Sequence, residues 1–385
     1  RDTDRSRGLG DVYKRQISWR AEASGFLCEM RRLIYIFIIG LLLCSYTWAD
    51  GSRYASKSLL SEGKWVKIRV DKTGIYKLSY ADLKNMGFSD PSKVSVHGYG
   101  GWPLDEDFSK EYIDDVPSTP VWRGSDYLLF YGKGPVKWEY DSSSQTFVHT
   151  NNPYSLYGYY FVTDATPTND MTSVAQATGA TNRITTYDDY LVHEQELVSL
   201  AKSGRELYGE DFSGATPRTL STFSSIPGIT NEDAKVTMSF VSKVTSGTGV
   251  ASLSINQSNV LDVSIRSNRE EYVKALEGVS MAVWKGEKSE KNSVVVSYNS
   301  ASHNNVRLNY VRLHFKRTLQ PYGAYTFFRS IASIGNVSRF VVQGANANTL
   351  VFDVTDAQRV RLMETELNGS ELTFSIPVGT LPVSY

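Results

Sequence analysis

The residues of this chain that could do chemistry are few, and each lacks a partner its chemistry requires. His193-Glu194 opens the zinc-protease pattern H-E-x-x-H, but Leu197 stands where the second imidazole must be. His97, His149, His303 and His314 are scattered singly with no partner motif. No G-x-S-x-G elbow presents a serine nucleophile. The two cysteines, Cys28 and Cys44, both precede the globular part, which excludes from it a thiol nucleophile, a disulfide framework and a thiolate-bound metal. Asp105, Glu106, Asp107, Asp114 and Asp115 form a dense acidic loop. Calcium takes about six to eight oxygens, but this spacing fits no EF-hand, and a solvated loop is the expectation. Gly98, Gly100 and Gly101 look superficially like a phosphate loop; no Gly-Lys-Ser/Thr follows, so a tight turn exposing Trp102 is expected instead. No catalytic, cofactor or metal site is therefore assigned. The residues put forward for partner or interdomain contact are Trp102, Asp105, Glu106, Asp107, Arg205, Glu206 and Glu210. The last three lie between aromatic residues in Ser203–Phe212, where an internal ion-pair loop is the competing reading.

The elements that must position these residues read as strands. Forty-one basic and 41 acidic residues leave no net field to draw a polyanion, so nucleic acid is not expected as a partner. The 24 Tyr, 16 Phe and 7 Trp, with many Val, Ser and Thr, favour pleated sheet. Gly63–Phe88, GKWVKIRVDKTGIYKLSYADLKNMGF, predicts a hairpin and a short helix. Val66, Ile68 and Val70 alternate with Lys67 and Arg69, Asp71–Gly74 turns the chain, and Ser79 caps a helix that stops at Gly87. Asp126–Tyr131 reads as a buried strand from which Val136–Tyr140 returns, and Tyr154–Thr163 as an aromatic strand. Tyr187–Leu200 could be helix or strand. From Val236 the period of two is plain, with Val250–Ile255 and Val260–Ile265 forming a hairpin. The series continues through Asn292–Tyr298, Val306–Phe315, Ala324–Phe328, Arg339–Gln343, Leu350–Val354 and Leu372–Ile376. The fold class expected is mainly β: a small β-rich N-terminal domain, then a jelly-roll-like β-sandwich, with few short helices.

The stretch G-x-W-x-K-I-x-V-x-x-x-G-I-Y-K-L with its following D-L helix resembles the start of the mature sortases of type IX secretion, which are gingipain-type cysteine peptidases. Val94–Phe108, Asp126–Lys137, Thr150–Phe161, Ser203–Phe212 and Leu350–Asp356 match in order, with Phe352 where the family pattern carries Trp. The matches run along almost all of Gly51–Tyr385 and cover the region before the peptidase domain. The resemblance implies a parent enzyme whose cysteine thiolate attacks the carbonyl at a cargo protein's C-terminal signal, with a histidine as acid and base. The acyl group then passes to an amine of a surface lipopolysaccharide. It implies as partners a downstream peptidase domain, cargo with C-terminal secretion signals, and outer-membrane secretion components. None of the family's catalytic residues falls on this sequence.

The expected organisation is adapter-like or untranslated lead-in over 1–29, a signal peptide over 30–49, an N-terminal β-rich domain over 50–167, a linker over 168–181 and a β-sandwich over 182–385, truncated at its end. Arg31-Arg32, the apolar run Leu33–Leu43 and cleavage after Ala49 make an export signal too short to span a bilayer, which wants about 20 apolar residues. Leu43 argues against lipidation at Cys44, since a small residue is usual there. The expected location is the cell surface, associated with the outer membrane. Three functions remain open: the non-catalytic front of a sortase, a free-standing module binding glycan or protein through Trp102, Trp122 and Trp138, and a sandwich hydrolase built on two carboxylates.

Overall fold

Alternating apolar and charged side chains produce the first strand of this computed structural model, which describes residues 54–385 apart from 108, 111–112, 201–204, 215, 244–245, 268–274, 301–305 and 380–383. The adapter-like lead-in, the signal peptide and both cysteines lie outside the described residues. Residues Leu59–Tyr385 form one compact unit.

Strand β1 (Val66–Val70) exposes Lys67 and Arg69 and buries Val70. β2 (Gly74–Ser79) leads into α1 (Tyr80–Asn85). Ser79 Oγ accepts from Asp82 N at 3.0 Å, the N-cap bond, and donates to Asp82 Oδ2 at 2.6 Å, so Asp82 holds the capping hydroxyl rather than the Ser79 amide. Then come β3 (Ser95–Gly100), β4 (Ser118–Thr119), β5 (Val121–Arg123), β6 (Tyr127–Gly132), β7 (Val136–Asp141), β8 (Thr146–Asn151) and β9 (Gly158–Thr163). They form a sheet β1-β9-β3-β4, a sheet β2-β6-β5 and the hairpin β7-β8.

Two expected pairings are corrected. β1 and β2 are not a hairpin: β1 pairs with β9 over its whole length and β2 with β6, so Asp71–Gly74 turns a corner between sheets. β7 does not return along β6 but pairs with β8. The cause is burial. In β6, Leu128 and Phe130 face one core and Leu129 and Tyr131 another, so the strand must lie inside, where β2 and β5 flank it. Gly74 serves close approach rather than a left-handed turn, since a Cβ there would sit 2.8 Å from the Tyr325 ring.

Three glycines mark where backbones cross beside the β6–β7 turn. A Cβ on Gly158 would lie 2.2 Å from Lys133 O, and one on Gly101 would lie 2.8 Å from both Gly134 and Gly158. The G-x-G-G run after His97 thus makes room for neighbouring chain. Gly158→Ala should cost about 2 kcal/mol by overpacking against immovable backbone. Urea unfolding checks this, and an unchanged midpoint would show that the crossing can yield.

The second half supplies β10 (Ser173–Val174), β11 (Asn182–Ile184), β12 (Thr186–Glu194), β13 (Arg218–Thr219), β14 (Ala234–Ser242), β15 (Thr248–Ile255), β16 (Ser258–Arg266), β17 (Leu276–Trp284), β18 (Val294–Ser300) and β19 (Val306–Thr318). The last five are β20 (Ser338–Val342), β21 (Phe352–Asp353), β22 (Arg361–Met363), β23 (Glu366–Asn368) and β24 (Glu371–Ile376). Sheets β12-β19-β14-β17 and β13-β18-β15-β16 face each other across one apolar core that includes Val236, Met238, Phe240, Leu253, Val296 and Leu313. Numbered from β12, the two orders are 1-8-3-6 and 2-7-4-5, which is jelly-roll topology. The β15–β16 hairpin turns on Asn256 and Gln257, both at positive φ.

The jelly roll ends at Thr318, not at the C-terminus. Strands that follow it pair with β10 and β11, which precede it: β11-β20-β24-β23 form a sheet with its own core around Phe328, Phe340, Phe374 and Tyr385, and β10-β22-β21 pack on the outer face of β6. Ala324–Phe328 is not a strand; Phe327 and Phe328 pack into neighbouring cores, while Tyr325 stays exposed. The segment 168–181 is tied down: Asn169 and Met171 bond the Val121 backbone, β10 pairs with β22, and Ala177 N donates to Ser375 O.

Candidate functional site

The hairpin β7–β8 lays one face on the jelly roll. Cross-strand pairs Trp138↔His149 and Tyr140↔Phe147 collect aromatic rings on that face, while Lys137 and Glu139 pair on the other at 2.8 Å. Opposite, Asp188, Tyr190, Val192 and Glu194 alternate along β12 in register with Lys316, His314, Arg312 and Tyr310 of β19. Trp138 stacks on Tyr190 with centroids 3.7 Å apart, Phe147 meets Tyr190 and His314, and His149 meets Tyr310 edge-on. The His149 ring lies between Arg312 Nη1 at 3.2 Å and Glu194 Oε2 at 2.8 Å. Arg312 can only donate, so Nδ1 accepts and Nε2–H donates to Glu194. Asn151 Nδ2 donates to the same carboxylate at 2.8 Å.

Beside this contact lies a cavity of about 350 Å³, lined among others by Trp102, Tyr131, Trp138, Phe147, Tyr190 and Arg329. Arg329 is 2% exposed. Its guanidinium lies over the rings of Tyr190 at 4.2 Å, Phe327 at 4.4 Å and Phe147 at 5.3 Å. Nη2 reaches Phe327 O at a long 3.5 Å, and Nη1 has no hydrogen-bond partner. Cation–π contacts contribute about 0.5–2 kcal/mol each, against several kcal/mol to desolvate an ion, so the rings alone leave the charge under-compensated. Burial pushes the Tyr190 hydroxyl up to about 12 and the nearby Lys133 ammonium, over the rings of Tyr99 and Trp102, down to about 8.

The seven residues expected at a contact surface separate into groups. Glu106 and Arg205, 99 residues apart, form an exposed ion pair at 2.6 Å, bringing the acidic loop to the Ser203–Phe212 segment. Asp105 pairs with Lys110 at 2.6 Å, and Asp107 accepts from Ser109 N and Oγ. Glu206 accepts from the Tyr208 hydroxyl at 3.1 Å. Glu210 bonds His193 Nε2 at 2.7 Å rather than facing a partner. Trp102 is half-buried, its Nε1 donating to Thr73 Oγ1 at 3.4 Å, which corrects the expectation of an exposed ring. Trp122 and Trp138 are half-buried as well, against Tyr127 and Tyr190.

Three histidine–carboxylate contacts went unseen in the sequence: His149–Glu194, His193–Glu210 and His314–Asp188. No short spacing signals them, because the partners come together across strands. The second of these also holds the Thr222 hydroxyl at 2.9 Å from His193 Nδ1, but neither it nor the hydroxyl lines the 350 Å³ cavity. Among the described residues no group of three His, Cys, Asp or Glu is placed to hold a metal. The junction cavity is lined by aromatic rings and by Arg329, a buried cation whose Nη1 has no hydrogen-bond partner, and a buried cation of this kind is chemistry for binding an anion.

The architecture defines the class: a mainly β unit in which an N-terminal pair of sheets is joined to a jelly roll by a docked hairpin. Among solved structures it resembles dimeric latent PorU from Porphyromonas gingivalis, with a TM-score of 0.79 and 31% identity over 86% of this chain. The chain therefore has a PorU-like fold, and it spans about a third, 32%, of that PorU chain. No family model matches the chain, and no curated protein does.

Proposed function

We propose that this chain is the non-catalytic N-terminal portion of an exported, PorU-related sortase of type IX secretion, a cysteine peptidase that removes C-terminal signals from cargo and attaches the cargo to the cell surface. The likeness to PorU across 86% of the chain carries this reading, joined by the ordered motif matches along Gly51–Tyr385. The docked hairpin supports a scaffolding role, since it makes the N-terminal sheets and the jelly roll one platform. The platform's partners are then a downstream peptidase domain, cargo and outer-membrane secretion components, and its place is the outer face of the cell.

The test is the reading frame beyond codon 385. An α/β domain with a histidine and a later cysteine in gingipain-like context is the expected result; a stop codon close downstream would overturn the proposal in favour of a free-standing binding module. The chain by itself should show no thiol-sensitive cleavage of fluorogenic peptides, with and without iodoacetamide. Measurable activity that the reagent abolishes would place the nucleophile outside the peptidase domain and sink the division of labour.

A further inference from the structure

We propose that the cavity at the hairpin junction is a carboxylate-binding site anchored by Arg329. An arginine side chain stays charged in a protein, so burial leaves it in need of an acceptor. Arg123, Arg307, Arg317 and Arg361 each meet an aspartate at 2.6–3.2 Å. Arg329, more deeply buried than these, forms no ion pair with any described carboxylate, and its Nη1 is left bare. The three rings around it present π faces, which attract the charge but accept no hydrogen bond in the guanidinium plane. A carboxylate lying in that plane supplies what is missing.

The cavity fits such a ligand in size and lining. About 350 Å³ is at the small end of ligand pockets, and Tyr131, Val192 and Val354 give it apolar walls suited to a body the size of one ring. The one carboxylate in the lining, Asp71, is occupied by the Tyr76 hydroxyl at 3.0 Å. The chemistry recognised is an organic acid with a compact apolar body, supplied as a free acid or as an acidic side chain of a polypeptide.

The experiment measures benzoate and its uncharged isostere benzamide against the full chain, by saturation-transfer NMR and by thermal shift. A capped dipeptide, acetyl-Phe-Glu-amide, serves as competitor. Benzoate is expected to bind and raise Tm, with benzamide about tenfold weaker for want of the charged pair. Binding should disappear in Arg329→Met and in Val192→Phe, which fills the cavity and leaves Arg329 in place, each variant being checked for its fold by circular dichroism. If Arg329→Met does not fold, Val192→Phe decides. Displacement of benzoate by the dipeptide assigns the ligand to a polypeptide, and benzoate binding without displacement assigns it to a free acid. Failure of benzoate to bind, equal binding of benzoate and benzamide, or undiminished binding in Val192→Phe overturns the proposal.

Discussion

Asp188→Asn is expected to destabilise the unit by about 3 kcal/mol at neutral pH, because it removes the negative charge from a buried cluster and leaves the Lys316 ammonium behind without it. Asp188 is 1% exposed. Its Oδ2 accepts from Lys316 Nζ at 2.9 Å and from Ile331 N at 2.6 Å. His314 Nε2 lies 3.2 Å from Oδ1, at ion-pair distance though not aligned as a hydrogen bond. Burial raises the Asp188 carboxyl, but the His314 ring, the Lys316 ammonium and the Ile331 amide outweigh it and hold the carboxyl below its ordinary 3.8. The sign follows: a carboxyl depressed in the folded state contributes stability above about pH 4, and that contribution is lost as pH falls through the folded value. Urea unfolding from pH 7 down to 3 should therefore show the gap between wild type and variant closing in acid. A gap that stays constant across this range would mean that Asp188 acts by shape and not by charge.

Phe147→Ala should cost about 4 kcal/mol and loosen the hairpin from the jelly roll. The ring is 5% exposed and touches Tyr140 within the hairpin, Tyr190 and His314 on the sheet, and the Arg329 guanidinium. Truncating a buried phenylalanine removes its transfer free energy and leaves a cavity, about 3–5 kcal/mol together. Here the loss falls on one contact between two sheet systems, so it should appear locally as well as globally. Limited proteolysis reads the local part: cleavage within the turn 142–145 should speed up in the variant. Loss of stability without faster cleavage there would show that the hairpin stays seated through Trp138 on Tyr190 and the His149–Glu194 bond.

Strands and caps were legible in the sequence because their causes are local. Val66, Ile68 and Val70 have the period of a half-buried strand, Ser79 and Asp82 are close enough to cap one another, and the polar run Asn256–Asn259 marks a hairpin, which the structure closes more tightly, on Asn256 and Gln257. The series of short strands from Val236 pointed to a jelly-roll-like sandwich, and the 1-8-3-6 and 2-7-4-5 orders realise it with β12 and β13, which precede that series. Strand partners were less legible. Consecutive strands with a turn between them read as hairpins, yet β1 joins β9 and β2 joins β6, since an apolar run such as β6 gains most where neighbours cover both faces. Ala324–Phe328 read as one more strand of the series, whereas Phe327 and Phe328 anchor it to two different cores without strand pairing.

By itself the sequence determined the mainly β class, the helix cap, the lack of thiol chemistry in the globular part and the ordered motifs of a PorU-like chain, all of which depend on residue identity and near neighbours. Only the tertiary structure decided that Trp102 and Trp138 turn inward, that Glu106 meets Arg205 across 99 residues, and that Arg329 sits under three rings with a bare N–H. Those facts depend on which strands share a sheet and which faces are covered. Such choices are made by burial summed over the whole unit, and no short window of sequence contains that sum.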